Sequence, residues 1–185
     1  MAAKVETITC NFIGDFKIGD NILRNADTLC RLSIANEKGI FNKLILVQAG
    51  SITEAALDQI IYRAQNFTRE GVPNIPVADI KKIRDTEIER FNNIIQAMKR
   101  HKLLDGLGKD IYDELDRFRM LRNRVHIQFD DKPKDVDRND DKAFTDKTVT
   151  WSLELCIRVL KHLGERFSRP EDLGVFAHNV SIPTG

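Results

Sequence analysis

The chain is short of proline and glycine, of cysteine, of net charge and of long apolar runs, and each shortage narrows what it can be. Proline and glycine number 5 and 10 in 185 residues, below the usual combined share of about 12%. The prolines stand at Pro73, Pro76, Pro133, Pro170 and Pro183, which leaves proline-free windows at 1–72, 77–132 and 134–169. Because proline breaks helix interiors, this distribution predicts long helices with breaks between them. The cysteines, Cys10, Cys30 and Cys156, are widely spaced and odd in number. They form neither a C-x-x-C motif nor a disulfide framework, and read as reduced thiols in a cytoplasmic protein. The N-terminal residues MAAKVETITCNF carry polar groups every second or third position, so no signal peptide is expected. No window approaches about 18 consecutive apolar residues, so no membrane span is expected.

Charge is balanced. Lys and Arg total 29 against 28 Asp and Glu, a formal net charge of +1. Bulk electrostatics therefore give no argument for nucleic-acid binding, and any such site must be a local patch. With 42% hydrophobic residues the chain can bury a real core, and intrinsic disorder is excluded. A length of 185 residues fits one domain. There is no Walker loop and no G-x-G-x-x-G, and Ser51 in A-G-S-I-T lacks the second glycine of a nucleophile elbow.

What is present is helical periodicity. The expected architecture is an all-α, single-domain bundle of about five helices (residues 20–168), with a short extended N-terminal arm (1–19) and a C-terminal tail (169–185). The alternating V-E-T-I-T-C-N-F-I fits a short strand or an extended arm. A first helix is expected from an N-cap at Asp20 to a stop at Gly39. The segment 41–67 is apolar on nearly every side, which places it at the centre of a bundle. Gly50 in its interior costs about 1 kcal/mol relative to alanine, and a close helix approach would explain it. Further helices are expected over 78–104, 109–129 and 146–168, the last with Thr145 as N-cap. The charged loop 130–142 superficially resembles a calcium loop over 135–146. Asp140 replaces its glycine, and Asp146 its bidentate glutamate, so it reads as a solvated loop.

The informative stretch is R-F-R-M-L-R-N-R-V-H-I-Q (117–128). At about 100° per residue, with Phe118 as zero, Ile111, Val125 and Phe129 fall within about 20° and mark the core direction. Arg122, His126 and Arg119 then fall near about 40°, 80° and 100°, and Asn123 near about 140°. Two guanidiniums and an imidazole thus share one flank of the apolar stripe. His exchanges a proton near neutral pH and Arg grips phosphate in bidentate fashion. Together they suit metal-free cleavage of an RNA phosphodiester. One His per chain does not easily serve as both acid and base, so two chains meeting along this edge would make a fuller site. Equally, basic residues beside an apolar stripe commonly snorkel and a lone His is often structural. Glu54 and Asp58, four residues apart on the apolar helix, are positioned to neutralise Arg119 or Arg122 or to orient His126, or to serve as ordinary bundle carboxylates.

Over roughly residues 20–168 the sequence resembles the HEPN superfamily of small helical domains. The resemblance rests on L-R-N-R-V-H-I (121–127), with support from L-I-L-V-Q-A-G-S-I-T-E-A-A-L-D (44–58) and the last amphipathic helix. It implies a metal-independent endoribonuclease that needs no cofactor and acts as a homodimer in a toxin–antitoxin or phage-defence setting. His126 would be the general acid/base and Arg119 or Arg122 would stabilise the phosphate, with Asn123 a further candidate catalytic residue. An RNA substrate and an antitoxin or other protein partner follow from the same resemblance. Three residues separate Arg122 from His126 and six separate Arg119 from it, where the family pattern has four to six. The family also contains inactive members that bind protein, RNA or nucleotide, or only dimerise, and that reading stands as the alternative.

Overall fold

The longest apolar segment of the sequence becomes a 25-residue helix, Asn42–Asn66, with buried residues around its whole circumference. The computed structural model of the chain describes residues 4–126, 137–173 and 178–184. In chain order these form β1 (Val5–Cys10), α1 (Phe16–Ile34), α2 (Asn42–Asn66), α3 (Val77–Arg84), α4 (Phe91–Arg100), α5 (Ile111–Asn123), α6 (Asp140–Ala143), α7 (Asp146–Arg166) and β2 (His178–Pro183). The fold is therefore predominantly helical but not purely so. The described residues hold seven helices rather than about five, and a two-stranded sheet.

α2 is the axis of the bundle. It packs most extensively on α7 and also on α1, α3, α4 and α5, and Leu46, Ala49, Ile52, Ala56, Leu57, Ile60 and Ile61 are at most 1% exposed. Each fully buried Leu or Ile contributes about 1.5–3 kcal/mol relative to an exposed one. Among the described residues it is the one helix long and apolar enough to cross a membrane, and 61% of that stretch lies buried inside the protein. Such burial is what a central bundle helix needs.

The expected ends moved where a side chain supplies a better cap. The N-cap of α1 lies five residues before Asp20, at Asp15, whose carboxylate accepts from the amides of Lys17 (2.9 Å) and Ile18 (3.2 Å). The helix stops at Ile34, before Gly39, where Asn36 folds back to accept the Phe41 amide at 2.8 Å. α7 opens as expected on Thr145, whose hydroxyl accepts the Thr148 amide at 3.3 Å.

The helix expected over 78–104 is two helices, α3 and α4, separated at 85–90. Arg84 donates from Nε to the Ala64 carbonyl (2.8 Å) and from Nη2 to the Phe67 carbonyl, which anchors α3 to the C-terminal end of α2. Its cation complements the negative end of that helix. Ile88 in the break is itself buried, so the chain turns there to keep it in the core.

The N-terminal arm and the C-terminal tail are not peripheral. β1 and β2 pair antiparallel, with Val5 opposite Pro183 and Cys10 opposite His178. Ile8, Cys10, Val180 and Ile182 are buried, and the ribbon packs on α1 and α7. Thr7 and Thr9 face Ser181 and Asn179 across its outer side, at 3.0 and 3.2 Å. Both strands belong to the same buried cluster as the helices.

One buried cation joins these parts. Arg63, 2% exposed, donates from Nη1 to the carbonyls of Phe12 (3.1 Å) and Phe167, and from Nη2 to that of Gly71 (2.6 Å). No carboxylate pairs with it among the described residues. Gly14 lets the chain pass: a Cβ there would lie 2.5 Å from Arg63 Cγ. Burial, with Arg169 nearby, lowers the Arg63 pKa to about 10, so the group stays charged at neutral pH. Arg63→Leu strands three buried carbonyls at about 1–3 kcal/mol each. Urea unfolding is expected to show a loss of more than about 3 kcal/mol, against a change within about 0.5 kcal/mol for Arg31→Ala, whose ion pair with Asp27 is exposed.

Candidate functional site

α5 carries the motif, and it ends sooner than periodicity predicts. Ile111, Leu115, Phe118 and Leu121 are fully buried, as their stripe requires. After Asn123, however, the amides of Arg124, Val125 and His126 bond to the carbonyls three residues back, at 3.1, 3.2 and 3.3 Å. Such bonds tighten and close a helix end. Arg124 holds the chain in that turn: its guanidinium donates to the carbonyls of Asp137 and Arg138 (2.5 Å each) and to Asp140 Oδ1 (2.8 Å), and lies over the Phe144 ring. Two expectations change as a result. Val125 is 45% exposed rather than part of the core, and His126 no longer takes its direction from the helix. Phe129 lies outside the described residues.

The helix still presents Arg119, Arg122 and Asn123 to one open groove of about 600 Å³, together with Glu54 from α2. Gly50 explains how α5 comes so close. A Cβ at that position would lie 2.9 Å from Arg122 Cγ and 3.5 Å from the Phe118 ring. The glycine thus permits the expected close approach, and it lets the Arg122 side chain lie across α2. Arg122 then donates from Nη2 to Glu54 Oε2 and from Nη1 to Asn123 Oδ1 at 3.2 Å. Arg119 pairs with Asp116 at 2.8 Å.

The segment 117–124 carries four arginines, Arg117, Arg119, Arg122 and Arg124. No acid lies within 117–124, but the fold brings Asp116, Glu54 and Asp140 to Arg119, Arg122 and Arg124. The remaining one, Arg117, lies over the Trp151 ring at 4.7 Å.

Two candidates stand apart from the groove. His126 is exposed, its imidazole has no partner among the described residues, and the groove lining stops at Asn123. Asp58 sits one turn beyond Glu54, half-buried, away from the lining. The other histidines have protein contacts: His101 Nδ1 to Asp79 Oδ1 at 2.8 Å, His162 Nε2 to the Leu103 carbonyl at 3.1 Å, and His178 to Asp20 at 3.5 Å. The three cysteines are free. Burial pushes the Cys10 and Cys156 thiols up to about 12, so neither is a thiolate nucleophile at neutral pH. In the calcium-like loop, Asp135 lies outside the described residues. Asn139 Oδ1 caps α6, Asp140 holds Lys43 and Arg124, and Asp146 accepts from Asn42 at 2.8 Å. Those oxygens serve protein donors.

The structure also adds residues that the sequence reading left out. Glu89, Arg90, Phe91, Asn92 and Asn93 form the opposite wall of the groove. They sit at the start of α4, a start invisible while 78–104 was read as one helix. The polar run D-T-E-I-E-R (85–90) was the available signal. No protein-family model, no curated protein and no solved structure matches the chain.

Burial, and then the neighbouring Glu54, raise the Asp58 pKa above the ordinary carboxyl value. The folded protein therefore holds that proton to higher pH than the unfolded chain does. Stability falls as pH rises through the ordinary carboxyl range, about 3.9, toward the raised value. Asp58→Asn is expected to raise the urea midpoint at pH 7, with the gain gone near pH 3, where the carboxyl is protonated in both states.

Proposed function

We propose that the groove binds RNA and that the protein is a HEPN-like, metal-independent endoribonuclease working as a homodimer in the cytoplasm, in a toxin or phage-defence role. The observation that carries this reading is the alignment of Arg119, Arg122 and Asn123 on one open groove, with an exposed His126, unpartnered among the described residues, just past the end of the same helix. The guanidiniums would hold the phosphate and stabilise the charge that builds on its oxygens. One imidazole takes the proton of the ribose 2′-hydroxyl, whose oxygen attacks phosphorus while the bond to the 5′-oxygen breaks. The leaving 5′-oxygen takes a proton from a second imidazole, and a second copy of the chain is the source of that group. The products are a 2′,3′-cyclic phosphate and a 5′-hydroxyl.

A second reading, a catalytically inactive HEPN-like module that binds protein, RNA or nucleotide, is favoured by a specific feature. Arg119 and Arg122 already hold carboxylates, and His126 lies off the groove. The two readings part on cleavage. With EDTA present, the nuclease reading expects RNA cut to 2′,3′-cyclic ends. His126→Ala is expected to lower the rate about 10²–10⁴-fold, and Arg119→Ala and Arg122→Ala about 10²–10³-fold. Equal rates for wild type and His126→Ala across varied RNAs would sink the nuclease reading and leave the binding module.

A further inference from the structure

The groove has two walls, and the positive charge that is unpaired among the described residues lies on the wall that the motif does not include. On the α5 side Arg119 and Arg122 each hold a carboxylate, Asp116 and Glu54. On the α4 side Arg90 is exposed and makes no ion pair or hydrogen bond through its guanidinium among the described residues. Asn92 and Asn93 beside it are exposed, and their carboxamides have no partner among the described residues either. Between the walls lies a groove of about 600 Å³, within the range of about 300–1,000 Å³ that takes a small organic ligand. Three guanidiniums and three carboxamides from two helices therefore face one space. Glu54 and Glu89 are its two carboxylates.

We infer that Arg90, Asn92 and Asn93 form a second subsite, which binds the sugar–phosphate backbone of single-stranded RNA next to the phosphate held by Arg119 and Arg122. The inference rests on the reading of the groove as an RNA site. It assigns the α4 wall to affinity and strand placement, and leaves bond breaking to α5. Arg90 suits a phosphodiester because its planar donor fork matches two phosphate oxygens. Asn92 and Asn93 supply both donors and acceptors, the chemistry that ribose hydroxyls and unpaired base edges need. Single strands are favoured over duplex because a recessed groove reaches splayed-out nucleotides, whereas duplex RNA is met on its broad minor-groove surface.

The test uses the full chain and a fluorescent 2′-O-methyl oligoribonucleotide, which lacks the nucleophilic hydroxyl and so reports binding without cleavage. Anisotropy in EDTA is expected to show Arg90→Glu and the double variant Arg90→Ala/Asn92→Ala binding about tenfold more weakly or worse than wild type. Arg90→Lys should recover part of the loss, and melting temperatures should stay unchanged because these residues are exposed. The slope of log affinity against log salt should flatten by about one for the phosphate contact removed. Wild-type affinity in Arg90→Glu would overturn the subsite, and so would equal affinity for a duplex of the same sequence. A parallel assay on unmodified RNA separates the two proposals. Arg90-dependent binding without any cleavage by wild type leaves the subsite standing and removes the nuclease. Cleavage that is indifferent to Arg90→Glu, with wild-type affinity, does the reverse. A wild-type protein that binds no RNA overturns both.

Discussion

The fold depends on one buried guanidinium. Arg63 sits three residues from the end of the central helix and gathers carbonyls from three places far apart in sequence: Phe12 before α1, Gly71 after α2 and Phe167 after α7. Each of these carbonyls has left regular secondary structure and would be buried without a partner, at about 1–3 kcal/mol apiece. A single donor fork meets them all, which a hydrocarbon side chain cannot do. Arg63 also lies 5.8 Å from the Phe67 ring centroid, so its faces as well as its edges are used. A buried cation held by carbonyl dipoles and a ring face, with no carboxylate partner among the described residues, is expensive in desolvation. What it secures is that β1, α2 and α7 meet at one end in one arrangement.

That end fixes where the other end points. α2 carries Arg63 near its C-terminus and Gly50 and Glu54 nearer its middle, so a rigid α2 sets the surface against which α5 lies. Gly50 removes a Cβ at the crossing, and Arg122 fills the space and reaches Glu54. The motif arginine is therefore positioned by the core helix, not by its own helix alone. α4 completes the groove because α3 is tied back onto α2 by Arg84. The chain must then break at 85–90 before it can run alongside α5.

Features that depend on one segment alone were legible in the sequence. α2 reads as central because it is apolar all round, and Thr145 reads as a cap because its hydroxyl serves amides only three residues away. Features set by distant partners were not. β2 alternates Val180 and Ile182 with Asn179 and Ser181, but the alternation is brief, ends at Pro183 and makes sense only against a strand about 170 residues earlier. The break between α3 and α4 carries neither proline nor glycine. Val125 was misplaced because a helical projection assumes the helix continues, and the contacts that end it come from Asp137, Arg138 and Asp140. The same division runs through the candidate site. Spacing along one helix put Arg119, Arg122 and His126 on one flank, and of these Arg119 and Arg122 line the groove with Asn123 and Glu54, whereas Arg90, Asn92 and Asn93 could be found only once the helix break was known.

The near-zero net charge is repeated on a small scale inside the groove. Arg119 and Arg122 meet it already paired, one with a neighbour on its own helix and the other with a residue of α2. Glu54 and Asn123 each hold one nitrogen of the Arg122 guanidinium, which fixes where that side chain lies in the groove. The arginine side chain is then ordered before a ligand arrives, and less conformational entropy remains to be lost on binding. The opposing effect is that an incoming phosphate exchanges one anion for another, so the net Coulomb gain at Arg122 is small. On the proposed reading, affinity must then come from cations that have no such partner. Arg90, at the N-cap of α4 and without an ion pair among the described residues, is that cation on the far wall, and on the same reading the work divides: the paired arginines of α5 serve the geometry of the reacting phosphate, and Arg90 serves attraction.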